Sequence, residues 1–209
     1  MSAVIFTYPP DYAMAAIAAR SYAKLGVRPY LAIDHRDPVP AVEGAEIVRT
    51  RFPRRGNLNG KACVEGILRT MAEVADGDEY QFKGDSDTVA RSLAWLDGRT
   101  EPAVGLRHTG YRGLYGACYA LRTDRLDDYR QEAAKLPHGD RSCSEDVVIG
   151  EFIPGIFTYE NLAPGCPFAA YSWKSPKTEE EWRQYQVLVF QRIEGKSRTD
   201  IRDAMLKFS

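Results

Sequence analysis

Cysteine is scarce in this chain. Its 209 residues hold four, Cys63, Cys118, Cys143 and Cys166, with no C-x-x-C pair and no zinc pattern. A disulfide framework is therefore not expected, and the four are read as reduced thiols of a cytosolic protein. Long apolar runs are also missing, so no segment is expected to span a bilayer. The opening Met-Ser-Ala-Val-Ile-Phe lacks the basic region and cleavage site of a signal peptide. An excess of one charge is absent too. Lys and Arg number 28 against 29 Asp and Glu, which gives a net charge of −1. The whole molecule is thus no electrostatic trap for nucleic acid or an anionic membrane, and such a partner would need a local patch. No internal repeat or low-complexity segment interrupts the chain.

What is present suits one well-cored soluble domain: 44% hydrophobic and 27% charged residues over a length short for two domains. The first ninety residues read strand, helix, strand, strand, helix, strand. Residues 3–8 are an apolar run closed by Pro9 and Pro10. Asp11 is placed to cap a helix over 12–25, ended by Gly26. Ala13, Ala16, Ile17 and Ala19 give that helix a narrow face of mostly small residues. Residues 29–34 are a second strand, and Ile47 and Val48 mark a third. A glycine and asparagine loop over 56–60 precedes a helix over 61–75. A short strand carrying Tyr80 and Phe82 follows. This order predicts an α/β fold with a mainly parallel sheet and helices on both faces.

The informative stretch is 79–89. After the Tyr80–Phe82 alternation the chain is expected to turn at Gly84 and to present Asp85 and Asp87 on either side of Ser86. Two carboxylates one residue apart beyond a strand can converge on a hard divalent cation, Mg²⁺ or Mn²⁺, whose shell is completed by phosphate and water. The plain alternative is a solvated turn. In a parallel sheet, ligands sit beyond the carboxyl ends of the strands. Thr7, Tyr8, Asp34, Arg49, Arg51, Asp85 and Asp87 should therefore share one rim. Tyr8 offers a ring for a base, Asp34 an acceptor for a base edge or ribose, and Arg49, Arg51, Arg54, Arg55 and Lys61 cations for a pyrophosphate.

The second half is less regular. Residues 103–106 read as a strand, and 110–116 as a flexible loop with Tyr111 and Tyr115 between its glycines. A strand over 118–122 and a helix over 124–135 follow. Ser144 is a good cap for a helix opening with Glu145 and Asp146, whose acidity also suits a first helical turn. Residues 179–193 and 199–207 read as terminal helices. Residues 165–176 are the only plausible hinge.

Taken in order, these features resemble glycosyltransferases of the GT-A fold. They are Thr7-Tyr8, Asp34, the Asp85-Ser86-Asp87 turn, the glycine–aromatic segment with Tyr119-Ala120-Leu121, and Ser144-Glu145-Asp146-Val147-Val148-Ile149-Gly150. The segment from Glu145 to Gly150 is similar to inverting β-1,3-galactosyltransferase and Fringe enzymes. The resemblance implies a single Rossmann-like GT-A domain over residues 1–165. Its nucleotide-sugar half would be about 1–90 and its acceptor half about 91–165, with a C-terminal helical extension over 166–209. It implies that Asp85 and Asp87 hold Mn²⁺ or Mg²⁺ against a UDP-sugar diphosphate. Thr7, Tyr8 and Asp34 would hold the nucleoside, and Arg51 and Lys61 would lie near the donor. Residues 116–119, with Gly116 and Tyr119 at their ends, would border its sugar. Asp146, beside Glu145, would be the general base.

A histidine ligand seen after the Glu-Asp segment in many relatives has no counterpart here, since His35, His108 and His138 all precede it. With no membrane anchor, the chain looks like a compact cytosolic bacterial or phage version. Its acceptor would be a saccharide or small-molecule hydroxyl, or a hydroxymethylated pyrimidine in phage DNA reached through Arg54 and Arg55. Two rivals stand beside this reading. Asp85-Ser86-Asp87-Thr88-Val89 also fits a haloacid-dehalogenase-like phosphatase, and the fold can persist as a binding module without turnover.

Overall fold

A computed structural model of the chain describes residues 1–51, 60–107, 113–136, 145–160, 163–170, 178–190 and 196–209. The main sheet is built from β1 (Ser2–Phe6), β2 (Arg28–Asp34), β3 (Glu46–Thr50), β4 (Tyr80–Asp85), β6 (Ala103–Arg107), β7 (Leu114–Arg122) and β8 (Phe157–Tyr159). Their spatial order is β3-β2-β1-β4-β7-β6-β8. Only β7 runs against its neighbours, so the sheet is mostly parallel. β1 lies inside the sheet between β2 and β4 and is buried over Ser2–Ile5, as a parallel strand covered on both faces must be.

One face is covered by α1 (Tyr12–Lys24) and α6 (Arg198–Phe208), the other by α2 (Gly60–Glu73), α3 (Leu126–Lys135) and α4 (Glu145–Phe152). α1 ends where Gly26 adopts φ 74°. There Gly26 N–H donates to the Ala23 carbonyl and Val27 N–H to that of Tyr22, the paired bonds of a Schellman stop. The buried face of α1 is Met14, Ala15, Ile17, Ala18, Ala19, Ser21 and Tyr22. Ala13, expected on that face, is exposed, because the stripe is set by the bulky Met14 and Tyr22 and not by the small residues alone.

A second sheet joins β5 (Thr88–Ala90), β10 (Val187–Val189) and β9 (Phe168–Ala170), in the order β5-β10-β9. It corrects two expectations. The helix anticipated over 179–193 is instead a short α5 (Glu179–Arg183), capped by Thr178, followed by strand β10. The C-terminal part is therefore mixed rather than helical. A three-residue strand carries no periodicity of its own, and β10 is held by partners far away in sequence. α6 docks through Ile201 and Met205, and through Phe208, whose ring stacks on Trp182 at 4.5 Å. Burial of Ile201 and of Met205 contributes about 1.5–3 kcal/mol each.

Two further expectations shift at the strand ends. Gly84 is not a turn residue but lies inside β4, where the Tyr22 side chain packs over it. Tyr115 and Gly116 belong to β7 rather than to a loop. Tyr111, Arg54, Arg55 and Ser144 lie outside the described residues.

Candidate active site

Strand register brings the expected residues to one edge. Phe6 pairs with Ala32 and with Asp85, and Asp34 pairs with Thr50. Thr7, Tyr8, Asp34, Arg51 and Asp85 thus emerge side by side at the carboxyl ends of β1 to β4. β7 runs the other way and brings Gly116 to the same edge beside β4, while α4 begins there with Glu145.

The centre of this edge is a lysine that the sequence reading passed over. Lys83 is 1% exposed, and its Nζ lies 2.6 Å from Asp85 Oδ1 and 2.8 Å from Glu145 Oε1. It also donates to the Gly116 carbonyl and lies 5.7 Å from the centre of the Tyr119 ring. Burial on its own disfavours the charged amine, but Asp85 and Glu145 outweigh it and hold the ammonium well above its ordinary range. Glu145 is engaged at both oxygens, because Cys63 Sγ donates to Oε2 at 3.0 Å. Burial and that carboxylate push the Cys63 thiol up, so it stays protonated as the donor. The strand alternation carried only part of the signal. Lys83 and Asp85 stand two apart and so share one face of β4.

Asp85 and Asp87 bracket the passage from one sheet to the other. Asp85 ends β4 with a side chain 41% exposed. Asp87 precedes β5, and its carbonyl accepts from Phe190 N–H at 2.8 Å. Its Oδ1 is cut off from solvent and has no hydrogen-bond partner. Burial and the neighbouring Asp85 push the Asp87 carboxyl up to about 8. The two carboxylates fit a hard cation, which would give Asp87 Oδ1 its missing partner and relieve the repulsion from Asp85. Among the described residues no three His, Cys, Asp or Glu side chains gather as a complete ligand set.

The corner of the rim expected to meet a nucleoside holds Thr7, Tyr8 and Asp34. Thr7 Oγ1 is buried without a partner. Tyr8 is 46% exposed. Asp34 is held by Arg36 in a fork, Nε to Oδ1 at 2.7 Å and Nη2 to Oδ2 at 2.9 Å, which keeps its carboxyl well below the usual range. Arg36, not anticipated from sequence, therefore stands at this corner with Asp34. Arg49 is spent on the carbonyls of His35 and Asp37. Arg51 is exposed just past β3.

Two expected residues have other employment. Lys61 donates to the carbonyls of Ala134 (3.1 Å) and Leu136 (2.6 Å), closing the C-terminal end of α3 as a cation does. Tyr119 is fully buried, so it lies under the site and does not line it. Asp146 follows Glu145 in the first turn of α4, and its side chain lies outside the described set.

No protein-family model and no curated protein sequence matches the chain. Solved structures do match. A galactosyltransferase, LgtC, in complex with donor and acceptor sugar analogues is 11% identical, with a TM-score of 0.58 over 99% of this chain and 96% of that one. An active-site variant of LgtC matches at 11% identity and a TM-score of 0.56, over 99% and 95% of the two chains. A glycosyltransferase involved in glycosylating the major capsid of the virus PBCV-1 is 14% identical, with a TM-score of 0.60 over 99% and 98%. The chain shares the fold of these glycosyltransferases along nearly its whole length.

Proposed function

We propose that the protein is a glycosyltransferase that moves a sugar from a UDP-linked donor to an acceptor hydroxyl with the help of Mn²⁺ or Mg²⁺. The observation that carries this reading is the meeting, on one sheet edge, of the Asp85–Asp87 pair with the Thr7–Tyr8–Asp34 corner. Donor and acceptor sugar analogues in the LgtC complex support a nucleotide-sugar donor and a saccharide acceptor. A cation on Asp85 and Asp87 would supply neutralisation of the leaving diphosphate. The chain's residues do the rest. Tyr8 and the Asp34–Arg36 pair orient the nucleoside. Lys83 fixes Asp85 and the start of α4. Glu145 is committed to Lys83 and Cys63, so the base role falls to its neighbour Asp146. As the acceptor oxygen forms its bond to the anomeric carbon, Asp146 takes the hydroxyl proton. The bond from that carbon to the diphosphate breaks, and its electron pair leaves with UDP. Attack from the opposite face inverts the centre.

The direct test is calorimetric titration with UDP. Binding should be strengthened by Mn²⁺, and ADP should bind more weakly than UDP. Equal affinity for ADP and UDP, with or without the cation, would count against the assignment. Hydrolysis of a generic phosphomonoester without any nucleotide sugar would favour the phosphatase instead. UDP binding without turnover on a broad acceptor panel would favour a binding module.

Asp146→Asn should leave UDP affinity nearly intact and lower the rate constant by about a hundredfold or more, the range for loss of a general base. NMR of the product should show an inverted anomeric configuration, and a retained one would remove Asp146 from this role. The acceptor divides on a gel-shift series. A hydroxymethylated pyrimidine in DNA requires binding that weakens steeply with salt. No shift at low salt leaves the saccharide hydroxyl.

A further inference from the structure

We infer that Arg198, on the C-terminal helix, is a positioning residue of the nucleobase subsite. It fixes the Tyr8 ring as the floor on which the base stacks, so that donor affinity depends on how α6 is docked. This rests on the donor reading above.

Tyr8 follows β1 and stands 46% exposed on the rim. An exposed ring is free to swing unless something holds its far end. Arg198 does so across 190 residues of sequence, with Nη2 donating to the Tyr8 hydroxyl at 2.6 Å. Its Nε donates to Asp11 Oδ1 at 2.5 Å, and its guanidinium carbon lies 5.6 Å from the Tyr8 ring centre. Asp11 stands at the cap position of α1 yet makes no side-chain cap bond there. The carboxylate expected to cap the helix is turned to Arg198 instead. A planar fork divided between two acceptors fixes direction better than one ammonium contact.

The arginine is itself firmly placed. It is the first residue of α6, just after Ser197, whose side chain forms a capping box with Asp200. α6 is anchored by buried Ile201 and Met205. The residue before Tyr8, Thr7, has its Oγ1 buried without a partner.

The test is titration of wild type, Arg198→Met, Tyr8→Phe and the double variant with UDP and Mn²⁺, each repeated with pyrophosphate and Mn²⁺. Tyr8→Phe keeps the ring and removes the same bond without touching α6, so it serves even where Arg198→Met fails to fold. Each single variant should weaken UDP binding by roughly tenfold, the scale of one misaligned stacking contact. The double variant should be no weaker than either single one, and pyrophosphate binding should not change. Arg198→Lys cannot reach both acceptors and should not restore UDP affinity. Unchanged UDP affinity in Arg198→Met or Tyr8→Phe overturns the inference and leaves the donor reading intact. Equal losses for UDP and pyrophosphate, or additive single effects, also overturn it. A wild type that binds no nucleoside diphosphate overturns both.

Discussion

Lys83→Met should lower stability by about 3 kcal/mol, the lower end of what removing one partner from a buried ion pair costs. For a chain of this size that corresponds to a melting temperature lower by about 6–12 °C. The reason is the company the ammonium keeps. Asp85 and Glu145 lie 2.6 and 2.8 Å from it, and with methionine they face each other without a cation. The Gly116 carbonyl and the Tyr119 ring also lose their charge partner. Asp85 is partly exposed and can recover some hydration, which is why the lower end of the range applies. Turnover should fall as well, by roughly a hundredfold, because an ångström of drift in Asp85 or the start of α4 misaligns the reacting groups. Adding Glu145→Gln should recover part of the stability but not the activity. A Lys83→Met protein that melts with wild type would show that the cluster is not organised around the lysine.

Asp87→Asn should separate the two properties in the opposite way. On the metal-dependent reading proposed above, turnover should fall by about three orders of magnitude, since a cation's contribution to charge neutralisation is worth several kcal/mol. The melting temperature should hold or rise. The Asp87 carboxylate has an oxygen buried without a partner and Asp85 as its neighbour, so in the free protein its charge is a burden. An amide keeps the shape and removes the repulsion. Steady-state rates in Mn²⁺, together with melting curves in excess EDTA, check both halves. Full wild-type activity in EDTA would remove the metal from the reaction.

The first four strands and two helices were readable because their signals are local. The apolar run ahead of Pro9 and Pro10, the stop at Gly26, and the Tyr80–Phe82 alternation each lie within one element. Asp85 and Asp87 were readable for the same reason, as neighbours at a strand end. Lys83 was not, because a lysine alternating with Phe82 and Gly84 looks solvent-facing until Cys63 and Glu145 close over it. That closure uses α2 and α4, one before β4 in the chain and one well after it. Arg198 escaped for a sharper version of this reason. Its partner Asp11 looked satisfied as a helix cap, and the two stand 187 residues apart. The strand at Val187–Val189 sits between helical signals and gains its identity only from Thr88–Ala90 and Phe168–Ala170.

The seam between the two sheets carries a consequence for the order of assembly. Residues 1–85 can begin to pair as soon as they are made, since β1, β2, β3 and β4 are neighbours in the sheet. Asp87 cannot be fixed then, because the N–H that holds its carbonyl belongs to Phe190 and the strand beside it to Val187–Val189. Such distant pairing forms late, after the loop-closure entropy has been met. During synthesis the edge formed by β1 to β4 therefore takes shape while Asp87 is still loose, and the carboxylate pair is set only after Phe190 has emerged from the ribosome. A chain released before Phe190 would be partly folded with Asp87 unplaced and, on the metal role proposed for Asp87, would show no turnover.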